Sequence, residues 1–226
     1  MATLQVSRRR TATNGSITPV AMRRFIFRKL RLRISRFGEC VHMIQQGIDG
    51  ARQPSFSLGN RAARVAWRLT YLALFRPSPI PLHAWRSCLL RLFGAKIGTG
   101  VHIYPKVDIW APWNLVVDDF AGVANGVSIY SMATISLGER CVISQGAHLC
   151  AGSHDYNDPT FQLFAKPIEV GRFAWICADA FVGPGVTIPE GAVVGARSVV
   201  ARSLSTSWSV YAGMPARKIG PRQKQT

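Results

Sequence analysis

No stretch of this chain reaches the roughly 18 uninterrupted apolar residues that a membrane-crossing helix needs. Residues 22–36 are interrupted by Arg every few positions and lack the apolar centre of a secretory signal, so the expectation is a cytoplasmic protein. Cysteine is sparse: Cys40, Cys88, Cys141, Cys150 and Cys177 are odd in number and contain no Cys-x-x-Cys pair. That excludes a disulfide framework and a zinc ribbon, and it points to reduced thiols. Acidic side chains are the other shortage, with 11 Asp and Glu against 28 Lys and Arg and a formal net charge of +17. Such a surplus suits nucleic acid, but its distribution argues against that partner. Residues 1–42 hold ten basic side chains against the single acid Glu39, so +9 of the +17 lies in a Ser/Thr/Arg-rich extension. Met22 to Arg36 alternates basic and apolar residues, which is compatible with peripheral membrane contact through the N-terminus. No nucleic-acid partner is expected.

What the chain does have is a repeat of six. Val170, Ile176, Val182, Ile188, Val194 and Val200 are β-branched and evenly spaced, and the first five are each followed four residues later by Ala174, Ala180, Val186, Ala192 and Ser198. Neither the helical period nor the strand period gives a spacing of six. A coil of three short flat strands does, with the β-branched residue pointing into the axis of a triangular prism. The same spacing runs in three earlier registers: Ile97, Ile103, Ile109; Val117, Val123, Ile129; and Leu137, Ile143, Leu149. Each change of phase marks extra residues at a corner. The largest interruption, between Leu149 and Val170, is polar and turn-rich, and a solenoid concentrates function where its loops leave the stack.

Four regions follow from this pattern. Residues 1–54 are expected to form a basic, disordered extension and 55–94 a helical segment, with one helix over Asn60–Phe75 and a second over His83–Phe93 closed by Gly94. The stripe Val65, Trp67, Leu69, Leu72, Leu74 and Phe75 is compatible with a membrane interface, but packing on the prism or on a neighbouring subunit is the expectation. Residues 95–205 form the prism with the inserted loop 151–169, and 206–226 a cap and tail that cover the open end of the coil.

Within the inserted loop His154 stands alone among the five histidines, following Gly152 and Ser153 and preceding Asp155 and Tyr156. Imidazole titrates near neutrality, so a loop can present it to a hydroxyl as a general base, with Asp155 and Tyr156 as acceptor-binding candidates. A loop histidine with a purely structural hydrogen bond is the alternative. A metal site built from His102, His148 and His154 is disfavoured, because a six-residue offset puts His148 and His154 on successive sides of the prism. Trp175 precedes an inward residue and therefore points outward. Arg197, Arg202, Arg217 and Lys218 gather near small residues, Gly195, Ala196 and Gly213, where a phosphate-bearing ligand could approach the backbone.

The hexapeptides, the loop CAGSHDYNDPTF, the run IEVGRFAWICADAFVGPGVTIPEGAVVGARSVV and the tail VYAGMPARKI together resemble the left-handed β-helix acetyltransferases of hexapeptide repeats, in particular the exopolysaccharide branch that serves colanic acid biosynthesis. The likeness spans about Ser55 to Ile219. It implies a mainly β fold, a left-handed parallel β-helix with an N-terminal helical segment, assembled as a homotrimer. It implies acetyl-CoA as co-substrate with no resident cofactor, and a sugar or lipid-linked saccharide as acceptor. By the same resemblance the catalytic base falls on His154, Trp175 flanks the coenzyme groove, Ala178 and Ala196 offer backbone to coenzyme A beside the small residue Gly195 noted above, and Arg202 and Arg217 lie near its phosphates. Asn125 is a loose match to an Asn that assists the acceptor. Where the family shows Gly after its Trp-Ile pair and Lys near position 202, this chain has Cys177 and Arg202. A non-catalytic structural solenoid and a metal-dependent, carbonic-anhydrase-like prism are the rival readings.

Overall fold

The computed structural model describes residues 56–159 and 161–224. The basic extension expected at 1–54 lies outside the described residues. From Lys96 onward the chain winds through three parallel sheets that form the sides of a prism. Face A stacks β1 (Lys96–Ile97), β4 (Leu115–Val117), β7 (Ile135–Leu137), β12 (Ile168–Val170) and β15 (Thr187–Ile188). Face B stacks β2 (His102–Ile103), β5 (Gly122–Val123), β8 (Val142–Ile143), β13 (Trp175–Ile176) and β16 (Val193–Val194). Face C stacks β3 (Asp108–Ile109), β6 (Ser128–Tyr130), β9 (His148–Cys150), β14 (Phe181–Val182) and β17 (Val199–Val200). The four sequence registers merge into one: Ile97, Val117, Leu137, Val170 and Ile188 are buried in a row on face A, and the other two faces contribute equivalent rows.

Backbone hydrogen bonds run from coil to coil without a break. On face B the amides of His102, Gly122, Val142 and Trp175 donate to the carbonyls of Ala121, Cys141, Ala174 and Ala192 at 2.8–2.9 Å. Every central strand is therefore paired on both sides, and β-branched side chains fill the axis, which a pleated surface accommodates well. Cys141 occupies one small inward position, fully buried, and burial pushes its thiol up to about 12. It packs as a small hydrophobe and is no nucleophile.

Several corners are built by rings stacked over left-handed residues. Gly191 has φ +65°, and a Cβ there would run into the Trp208 ring. We expect Gly191→Ala to combine backbone strain with displacement of that ring, costing about 2 kcal/mol in chemical denaturation. A cost near zero would mean that the ring moves freely.

Two helices close the N-terminal end of the prism. Helix α1 covers Leu58–Thr70, capped by the Ser57 hydroxyl, which accepts from the Asn60 amide at 3.2 Å. It starts two residues before the sequence reading, and its expected last turn widens into a π-helical turn at Tyr71–Phe75. Helix α2 covers His83–Leu92, and Gly94 follows at φ +85°. The apolar stripe divides. Trp67, Tyr71 and Phe75 are buried, with the Trp67 indole donating to the Ile109 carbonyl at 2.7 Å. Val65, Leu69, Leu72 and Leu74 are exposed instead. A spacing of four through α1 and the π turn keeps only the first set on the prism, so of the six residues of the expected stripe only Trp67 and Phe75 pack there.

At the other end, β18 (Ser209–Ala212) pairs parallel to β16, and β19 (Arg217–Pro221) folds back antiparallel on β18. This tail covers the face B edge, and its outer strand carries Arg217 and Lys218, side chains that discourage further pairing. Arg222 pins the tail by donating to the carbonyls of Phe173 at 2.7 Å and Gly191 at 3.0 Å.

Candidate active site

The interruption after Leu149 is a short arm rather than an irregular loop. It leaves face C after β9 and rejoins the prism on face A at β12, projecting from the edge between those faces. Its base is an antiparallel ladder of β10 (Gly152–His154) with β11 (Leu163–Ala165), in which His154 pairs with Leu163. At the tip the Asp155 carboxylate accepts from the Asn157 amide at 2.9 Å, a local turn that takes up one of its oxygens. Tyr156 is 84% exposed at the tip of the arm.

His154 lies flat on the ring of Phe161, with centroids 4.5 Å apart and planes inclined by 10°. Its Nδ1 is 2.8 Å from the Phe161 carbonyl oxygen. A carbonyl can only accept, so Nδ1 carries the proton and the neutral ring keeps its lone pair on Nε2. The imidazole is thus held in one tautomer and one plane, with its basic nitrogen free of that contact. Phe161 was not singled out in the sequence, because its role depends on the arm closing as a hairpin, and nothing in GSHDYNDPTFQLF announces that pairing.

The other candidates lie elsewhere. Trp175 is on face B, 44% exposed, and its indole Nε1 donates to the Ser144 hydroxyl at 2.9 Å, which leans the ring toward the edge between faces B and C. Along that edge Asn125, Gln145, Ala178 and Ala196 occupy the same corner of successive coils, after β5, β8, β13 and β16. The Arg197 amide donates to the Ala178 carbonyl at 2.9 Å. Gly195 brings its amide to the Tyr211 carbonyl at 2.7 Å, with the Ala212 methyl close against it. The Asn125 side-chain oxygen Oδ1 accepts from the Lys106 backbone amide at 3.0 Å, which occupies it in corner structure, two coils before Ala178. Cys177 is half-buried with its thiol pKa raised by burial, which makes it a poor nucleophile.

Arg202 follows β17 on the edge between faces C and A, the same edge that carries the arm. Arg217 is exposed on β19, at the end of face B. His154 and Arg202 therefore share one edge of a protomer, while Trp175, Ala178, Gly195 and Ala196 gather at another. The whole of face C separates the two groups, about 15 Å for a side of roughly five extended residues.

The other histidines are engaged separately. His102 stacks on His83 at 4.6 Å, and His148 packs edge-on against Phe181 at 5.4 Å, where burial lowers its pKa. Among the described residues no group of three or more His, Cys, Asp and Glu is placed to hold a metal ion.

No family model matches the chain. It is 44% identical over 178 residues to the "Putative colanic acid biosynthesis acetyltransferase WcaF" of Escherichia coli K12, an alignment covering 78% of this chain and 97% of that one. The chain belongs to the hexapeptide-repeat acetyltransferases. Within this family it is also 28% identical over 150 residues to the galactoside O-acetyltransferase of E. coli K12, covering 59% of this chain and 67% of that protein. Among solved structures, a hexapeptide-repeat acetyltransferase from Vibrio cholerae in complex with acetyl coenzyme A superposes with a TM-score of 0.69 at 21% identity, over 80% of this chain and 99% of that one. A galactoside acetyltransferase in complex with coenzyme A gives 0.69 at 22% identity, over 75% and 85%. These likenesses establish the left-handed β-helix fold of the acetyltransferases, as the repeats imply.

Proposed function

We propose that this enzyme moves the acetyl group of acetyl-CoA to a hydroxyl of a sugar, free or lipid-linked, in the assembly of an exopolysaccharide. The observation that carries the reading is His154, whose Nδ1 is committed to the Phe161 carbonyl and whose Nε2 is left as a base. Nε2 takes the proton of the acceptor hydroxyl as its oxygen attacks the thioester carbonyl; the tetrahedral intermediate collapses, and the thiolate of coenzyme A leaves with the proton returned from the imidazolium. Direct transfer suffices, because holding both reactants together lowers the barrier without a covalent acyl-enzyme. Asp155 and Tyr156 at the tip of the arm contact the acceptor. Coenzyme A lies along the edge of Trp175, Ala178, Gly195 and Ala196, with Arg217 and Arg202 toward its phosphates.

The separation of these groups across face C supports a homotrimer with the site between protomers. A threefold arrangement lays the His154 edge of one prism beside the Trp175 edge of the next, and closed cyclic symmetry repeats the pairing at all three interfaces. The Arg202 guanidinium then reaches the coenzyme from the protomer that supplies His154.

The test is release of free CoA thiol from acetyl-CoA with and without saccharide acceptors, together with light scattering of the protein alone. Acceptor-dependent release by a trimer is expected. Absence of turnover with every saccharide offered, or a monomer at micromolar concentration, would return the chain to the structural solenoid.

A further inference from the structure

Helix α1 with its π turn carries two apolar faces, and only one is buried. On the opposite side Leu58, Val65, Leu69 and Leu72 are 79%, 61%, 64% and 47% exposed. Their spacings of seven, four and three residues set them in one line along the helix. The turn that follows adds exposed Leu74, Ile80, Leu82 and Trp85, with the Trp85 indole donating to the Leu74 carbonyl at 3.1 Å. A contiguous apolar surface of this kind is unusual on a soluble protein without a partner.

Charge decides among the occupants. Arg61, Arg68 and Arg76 are exposed beside the apolar line, and among the described residues Arg68 is ion-paired with Asp108 at 3.1 Å. Between Asp49 and Asp108 the sequence has no acidic residue and nine Arg and Lys. The chain's own residues 22–36 are themselves basic, so laying them on this face would set like charges together. A second copy meeting it face to face would do the same. An anionic surface with an apolar interior satisfies both features.

We propose that the outward face of α1 and its π turn docks on an anionic lipid bilayer. The helix lies in the plane of the interface, with Leu58, Val65, Leu69 and Leu72 at the acyl boundary and Arg61 and Arg76 among the phosphates; Trp85 sits at headgroup level. Docking would hold the enzyme where a lipid-linked acceptor resides. That consequence rests on the reaction proposed above, whereas the docking does not.

The experiment is flotation of the full chain with vesicles of phosphatidylcholine, with or without phosphatidylglycerol, in the absence of acetyl-CoA and acceptor. The parent is expected to float with the anionic vesicles only. Val65→Ser combined with Leu69→Ser and Leu72→Ser should lower that partition at least about tenfold, with melting temperature and light scattering unchanged. A second variant, Arg61→Glu with Arg76→Glu, keeps the apolar line and should lose a similar share of binding. Three results would overturn the proposal: a parent that does not float, variants that float like the parent because the basic N-terminus acts alone, or serine variants whose subunit number changes because the face joins copies. CoA release is scored separately, so failure of docking and failure of acetyl transfer are distinguishable.

Discussion

Replacement of His154 by Ala is expected to lower acceptor-dependent CoA release by about two to four orders of magnitude, the usual worth of a positioned general base. The size follows from the geometry. The ring is stacked on Phe161 and tied through Nδ1, so Nε2 is presented with little freedom left to lose. Affinity for acetyl-CoA should hardly change, since the proposed coenzyme contacts are Trp175, Ala178, Gly195 and Ala196, a full face away on the same protomer. Stability should also survive, because an exposed arm residue leaves no core cavity. His148→Ala is the control: it packs on Phe181 on face C, and its loss should cost little turnover. A shared site makes a further demand. Mixed and reassembled subunits of His154→Ala and Trp175→Ala, each expected to be impaired on its own, should regain a fraction of parental turnover above either alone, because some interfaces then combine an intact base with an intact groove. Equal, small losses for His154→Ala and His148→Ala would remove the general-base assignment, and a mixture no better than its components would place both groups in one protomer.

The prism was legible in the chain because its rule is local. A β-branched residue every sixth position can satisfy only one arrangement, and each of the four registers lands on the axis as the spacing requires. The phase changes also kept their meaning, since extra residues can be accommodated only at corners. What the spacing could not carry was pairing at a distance. The arm reads as polar sequence, yet it is a β-ladder whose closing strand supplies the Phe161 carbonyl that sets the tautomer of His154. The apolar stripe of α1 was read as one surface because composition does not say which of two apolar faces meets the prism; the bonds of Trp67 to Ile109 and Arg68 to Asp108 decide that. The distribution of candidate residues over two edges of face C could be seen only once every corner had its place in the coil.

The largest loss of stability is expected at Arg86. This side chain is fully buried in α2, at the end of the prism, an unusual place for a guanidinium. It is retained because its donors are used: Nε donates to the Ile103 carbonyl at 2.6 Å, and Nη1 to the Ser78 hydroxyl at 2.9 Å and the Pro79 carbonyl at 2.8 Å; Nη2 donates to the Ile80 carbonyl at 2.5 Å. One side chain thus ties the proline-rich turn to the first coil of face B. Arg86→Met keeps much of the stem but strands those carbonyls in a dry site, at about 1–3 kcal/mol for each that finds no new donor, so the sum is about 3–5 kcal/mol. Arg86→Lys keeps the charge, yet one ammonium cannot span three carbonyls set around a planar fork, so it should recover only part of the loss. Urea denaturation of the parent and both variants measures the order. The same substitution should change the acid response. Burial is the main cause lowering the His83 pKa, and Arg86 at 3.1 Å adds to it. A histidine whose folded pKa is depressed takes its proton first in the unfolded chain, so stability present above pH ~6.5 is lost as pH falls through the folded value. Without Arg86 the His83 pKa moves back up, and the Arg86→Met protein, though weaker throughout, should lose less of its remaining stability between neutral and acid pH than the parent does. Parallel acid slopes for the two proteins would mean that His83 does not feel the guanidinium.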